Sequence, residues 1–195
     1  MMKRAVETPP SSRARSRTTG VVYLLYFLTA IFAEFLNGRK LAAFSDAVNL
    51  IAFGFYAATS ILFFYLFKPV NRRISLIAAI CSILGCIVGA LGIFSIFHFQ
   101  FSPLIFFGPY CLLIGYLIFR SIFLPRILGV LMILAGLGWL VYLTPLAKYL
   151  TFSIEVIGIL AEGLLMLWLV VMGVNVQRWK EQAGATKIQG GGNSY

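Results

Sequence analysis

Two carboxylates stand seven residues apart in EVIGILAEG, Glu155 to Gly163, inside a run that is otherwise hydrocarbon. Seven residues is about 700° of rotation on an α-helix, so Glu155 and Glu162 share a face, and Gly158 and Gly173 fall on it as well. Lipid gives no reason to gather glycines on one side of a helix, whereas a neighbouring helix does, and the acids are therefore expected to point into a bundle. A carboxyl group so placed can hold a proton, bind a cation or hydrogen-bond to another helix. The two are not equivalent. Glu155 follows Thr151 and Ser153, either of which can cap a helix start where the dipole favours negative charge. Glu162 lies near the midpoint of the run, where an acidic residue costs about 2.5–3.5 kcal/mol to insert. Its plainest reading is a protonated carboxyl bonded to an adjacent helix. Glu34 completes the set: with Gly20 and Val174 as helix ends, Glu34 lies about 21 Å in and Glu162 about 18 Å in. If the first and last helices are neighbours, these acids share a proton or flank a cation. The alternative is a salt bridge from Glu34 to Arg39 or Lys40.

The elements that must position these acids follow from composition. With 61% hydrophobic and 11% charged residues, the 195-residue chain is far more apolar than a soluble domain, for which about 45–50% apolar is usual. Apolar runs long enough to cross a hydrocarbon core of about 30 Å occur near 20–36, 47–67, 74–97, 103–120, 126–147 and 152–175. Backbone groups in lipid must find partners within their own segment or in a closed barrel, and the alternation that a barrel needs is absent. The expected fold is all-α: a polytopic membrane bundle of six transmembrane helices over 20–175. It is flanked by flexible tails at 1–19 and 176–195. Asn37-Gly38 is expected to stop the first span with a left-handed glycine, and Pro103 and Pro125 to start the fourth and fifth. Pro109 is expected to bend the fourth. The first span has the ingredients of a cleaved signal, but its apolar run continues through Phe35-Leu36 and it reads as a retained helix.

Thirteen of the sixteen Lys and Arg fall in the two tails, the loop after span two and the turn after span four; only Arg39, Lys40 and Lys148 fall on the other side. The positive-inside bias then puts both termini in the cytoplasm. The net charge of +10 is accounted for by this arrangement and by contact with anionic headgroups at the cytoplasmic face, and nucleic acid is not an expected partner. Trp179, among charges, reads as an interfacial anchor.

Small residues say how the spans meet. Gly85 and Gly89 in span three, like Gly158 and Gly173 in span six, are expected to be helix-packing positions, and Gly108 and Gly115 form a further stripe in span four. Cys81 and Cys86 are about 140° apart around their helix and, with Cys111, read as small packing residues rather than metal ligands. His98, the sole histidine, sits in an outer turn among aromatics. No nucleophile–base pair, intramembrane aspartate pair or zinc motif is present, so no catalytic residue, metal or cofactor is expected.

The run FFGPYCLLIGYLIFRSIFLPRILGVLMILAGLGWLVYL, Phe106 to Leu143, with EGLLMLWLVVMGVNVQRWKE, Glu162 to Glu181, resembles the family known as domain of unknown function 4386. Its most specific part is the turn Leu124 to Gly129. The resemblance covers the six spans, excludes both tails and implies a bacterial inner-membrane protein; it brings no substrate or catalytic residue. Two functions are compatible with the residues. One is a small permease, channel-like or sensing protein that uses buried carboxylates. The other is a non-catalytic membrane subunit or stabiliser, whose contacts are a protein partner or a second copy of the chain.

Overall fold

The structure is a computed structural model that describes residues 12–94 and 102–191. Residues 1–11, 95–101, where the outer turn with His98 is expected, and 192–195 lie outside the described residues. Among the described residues there are seven helices and no strand: α1 (Ser12–Gly38), α2 (Ala42–Phe67), α3 (Arg72–Ile93), α4 (Leu104–Arg120), α5 (Arg126–Val141), α6 (Ala147–Val171) and α7 (Val176–Gly191). The first six close a ring in which each helix packs on the next and α6 returns to α1. Helices joined by short turns run antiparallel, so neighbours alternate up and down.

Helices α1, α2, α3 and α6 are long and apolar enough to cross a membrane. The apolar α4 and α5 are shorter, 17 and 16 residues, or about 25 Å at the usual rise. The ring is apolar outside and partly polar inside. Ile31, Ile77, Ile127 and Leu160 stand exposed on its outer face, whereas Ser60, Ser75, Ser82 and Glu162 are buried. That distribution suits a lipid surround.

Several boundaries differ from those expected of the sequence, each for a local reason. The fifth helix stops at Val141 rather than at 147, because Thr144 precedes Pro145 and a residue in that position is pushed out of the helical region. The amide and hydroxyl of Thr144 both donate to the Val141 carbonyl, at 2.9 and 2.7 Å. Helix α6 begins at Ala147, so Thr151 lies within it and its hydroxyl donates to the Ala147 carbonyl rather than capping. The same helix ends at Val171, because Gly173 adopts φ 68° and its amide turns back to the Trp168 carbonyl. Gly173 is thus a helix stop, off the packing face it shares by periodicity. At the end of α1 the left-handed residue is Lys40, with φ 60°, and Gly38 remains helical.

The flexible tails expected at 1–19 and 176–195 are helical where they are described: α1 begins at Ser12 rather than at 20, and α7 covers Val176–Gly191. Asn175 caps α7 by accepting from the Arg178 amide at 3.1 Å. The helix is held because it serves backbone groups that the ring leaves open, as helix ends must. The Trp179 indole N–H donates to the Leu66 carbonyl in the last turn of α2 at 3.0 Å, so Trp179 binds protein where an interfacial anchor was expected. The Ile122 amide donates to the Gln182 side chain at 3.2 Å, and the Arg178 guanidinium donates to the Ile122 carbonyl at 3.4 Å. The Val174 amide donates to Ser16 Oγ at 3.2 Å. The start of α1, the end of α2, the α4–α5 turn and α7 therefore meet at one end of the bundle.

Helices α4 and α5 touch backbone to backbone through two glycine pairs. A Cβ on Gly129 would sit 2.7 Å from the Gly115 carbonyl oxygen and 2.8 Å from the Phe119 amide nitrogen; one on Gly136 would sit 2.8 Å from the Leu112 amide nitrogen. Backbone atoms cannot move aside as a side-chain tip can. Gly129→Ala is therefore expected to lower stability in detergent by about 1–3 kcal/mol, the usual cost of overpacking. Gly54→Ala, at a helical position where a Cβ meets nothing within 4 Å, should be neutral or stabilising in the same unfolding measurement.

Candidate functional site

Glu162 is 9% exposed and lies on the inner side of α6, where three hydroxyl or thiol groups converge on it. Tyr23 of α1 donates to Oε2 at 2.6 Å and Tyr56 of α2 donates to the same oxygen at 3.5 Å. Cys111 of α4 donates through its thiol to Oε1 at 3.8 Å. Four helices of the ring thus meet on one carboxyl group, and all three donors are neutral. Helix α3 joins one step removed, since the Ser60 and Ser82 hydroxyls bond each other across α2 and α3.

The register of α1 against α6 follows from Gly20, whose missing side chain lets the backbone of Leu169 and Val170 approach; a Cβ there would lie 2.6 Å from the Val170 nitrogen. Tyr23, one turn on, is fully buried and directs its hydroxyl to Glu162. Around it Tyr26, Phe27, Tyr56 and Phe63 pack with ring centroids 5.4–6.1 Å away.

A cavity of about 230 Å³ reaches Glu162, walled by Tyr26, Phe53, Tyr56, Leu104, Phe107 and Trp139. Leu104 opens α4, so the cavity lies on the side of the carboxyl group away from α7. The glycines expected to pack helices seat its rings. A Cβ on Gly85 would meet the Phe107 ring at 2.8 Å, one on Gly89 the Phe53 ring at 2.5 Å, and one on Gly158 the Trp139 ring at 2.6 Å.

Of the three acids, only Glu162 is in this site. Glu155 is exposed, although it shares a helix face with Glu162. Periodicity sets the angle around a helix, but the neighbour at each level decides whether that angle meets protein. Glu34 is also exposed and lines a cavity of about 430 Å³ with Ile31, Asn49 and Ile159, which adjoins the Glu162 cavity across their shared residues Tyr26 and Phe53. The equal depth expected of Glu34 and Glu162 took Val174 as a helix end level with Gly20. Counting antiparallel from Gly20 beside Val170 brings Glu34 level with Val156 instead, about 9 Å along the axis from Glu162. The Arg39 guanidinium, a suggested partner of Glu34, lies over the Phe35 ring, 4.9 Å from its centroid.

Tyr23 and Tyr56 are not among the residues singled out by the sequence, and Cys111, expected there to be a small packing residue, donates to Glu162 as well. A usable signal was present for the tyrosines, because a buried Tyr hydroxyl usually finds a partner and Tyr23, Tyr56 and Tyr110 all lie within apolar runs. Cys111 carried none; its bond to Glu162 spans 51 residues.

The family model of DUF4386, a domain of unknown function, matches residues 97–173. That stretch holds α4, α5 and α6, and with them Cys111, Trp139 and Glu162; it does not reach α1 to α3, so it is narrower than the six-span resemblance. A protein of Archaeoglobus fulgidus, described as uncharacterised, is 26% identical over 122 residues, which are 58% of this chain and 74% of that protein. No solved structure matches the chain.

Proposed function

We propose that the chain is a plasma-membrane protein of six spans, N-in and C-in, and that Glu162 is its working group. It binds a proton or a cationic solute in a small permease, channel-like or sensing protein. The observation that carries this reading is the carboxyl group set in the wall of a cavity and held there by donors from three other helices. A carboxyl group serving only to bond helices needs no cavity beside it. The reading is of a binding protein rather than an enzyme.

The side assignment draws on charge. Lys68, Arg72, Arg73, Arg120, Arg126 and Arg178 lie at the end of the bundle that α7 covers, and such an end faces the cytoplasm. Arg120 and Arg126, with Gln182, line a recess of about 260 Å³ at that end, which suits an anionic headgroup of the inner leaflet. Alkaline phosphatase fused after Lys40 or Lys148 should be active, and fused after Arg73 or Glu181 silent; the reverse pattern would invert the protein.

A second reading is favoured by the same bonds. They tie α6 to α1, α2 and α4, as they would in a non-catalytic subunit or stabiliser of another complex. The two readings part at Glu162→Gln, which keeps two hydrogen-bonding atoms but no charge. For a binding carboxylate, this variant should unfold at the wild-type temperature and lose flux or ligand binding at least about tenfold, as removal of a charge-assisted contact of about 1.5–3 kcal/mol implies. For a purely structural acid, activity of the assembled complex should persist, and only an apolar replacement such as Glu162→Leu should loosen the bundle.

The hydrogen bonds themselves are tested by a double-mutant cycle. Tyr23→Phe combined with Glu162→Leu, which leaves the Tyr23 hydroxyl without its acceptor, should show a coupling of about 0.6 kcal/mol, with about 1.7 as the upper end, in unfolding from detergent. Strict additivity would mean that the 2.6 Å contact contributes nothing to stability.

A further inference from the structure

The geometry points to a small organic ammonium ion as the ligand of the Glu162 cavity, an inference that rests on the reading of Glu162 as a binding carboxylate. The donors to Glu162 are neutral, so if the group is ionised only a ligand of opposite sign can offset the burial of its charge. A proton would do this with no cavity at all. A bare calcium or magnesium ion takes six or more oxygen ligands, and the lining side chains supply only the Glu162 carboxylate and the hydroxyls of Tyr26 and Tyr56.

What the lining supplies in quantity is aromatic face and edge. The ring of Tyr56 lies 4.6 Å from that of Tyr26 and 5.3 Å from that of Phe107, centroid to centroid, and Phe53 and Trp139 complete the wall. Rings about a cavity with a carboxylate at one side attract an alkylated ammonium twice over. The ring quadrupoles act within about 6 Å of each centroid, and the carboxylate acts by its charge. Both terms gain where the carboxylate is buried, as Glu162 is, because screening there is weaker than in bulk water. The rings are also fixed in place, with Phe53, Phe107 and Trp139 each resting on a glycine of the facing helix. A preset cage loses little freedom when a ligand enters. Size narrows the class further. At about 230 Å³ the cavity is smaller than the roughly 300–1,000 Å³ of drug-sized sites, so it suits a compact methylated ammonium.

The test uses the full chain in lipid nanodiscs with tritiated choline as the probe. Saturable binding is expected, displaced by tetramethylammonium. Dimethylbutanol, the neutral carbon counterpart of choline, should compete at least about tenfold more weakly, since it matches the shape but not the charge that the rings attract. Glu162→Gln should abolish the binding and Phe107→Leu should weaken it, with unfolding temperatures measured on the same samples. The comparison of choline with dimethylbutanol needs only the wild-type chain, so it stands even if a variant fails to fold. Absence of saturable choline binding, or equal competition by the alcohol, overturns the inference. A proton flux that depends on Glu162 in the absence of choline binding overturns the ammonium ligand alone and leaves the binding carboxylate standing. Choline binding that survives in folded Glu162→Gln overturns both.

Discussion

A carboxyl group inside hydrocarbon must be given hydrogen-bond donors by whatever surrounds it, and here the donors to Glu162 arrive from 139, 106 and 51 residues away along the chain. This requirement sets which faces of α1, α2 and α4 turn inward. A rotation of α1 that carried Tyr23 to the lipid side would leave Oε2 with only the longer contact from Tyr56 and expose a phenol to acyl chains. Apolar packing alone is a weak guide in such a bundle, because leucine meets lipid as readily as it meets leucine. The polar cluster supplies the orientation that greasy surfaces cannot.

Small residues and aromatic rings then work as pairs. Between α4 and α5 the glycines bring backbones together, whereas Gly85, Gly89 and Gly158 receive rings from α4, α2 and α5. The same residue type therefore does two jobs: in one place it removes space between helices, and in the other it provides a seat that fixes a ring beside the cavity. The cavity keeps its shape because its walls are wedged from behind.

The helical class was legible because hydrocarbon runs of membrane length are a one-dimensional signal. The burial of Glu162 was also legible, since a mid-run acid flanked by a glycine on its own face has few other places to go. Glu34 and Glu155 could not be sorted in the same way. Their exposure depends on the register of α1 against α6, which Gly20 sets through a contact some 150 residues distant in sequence. Helix ends were misjudged where a single torsion decides them, as at Lys40 and Gly173. The helicity of α7 is not legible in the sequence because its composition is that of a tail; its order comes from partners on α2 and the α4–α5 turn, which composition does not record.

The bond from Trp179 to the Leu66 carbonyl joins groups 113 residues apart. Because Trp179 follows α6 in the chain, that bond can form only after all six helices of the ring have been synthesised. The last helix is thus a clasp, holding the end of α2 to the α4–α5 turn across one end of the bundle.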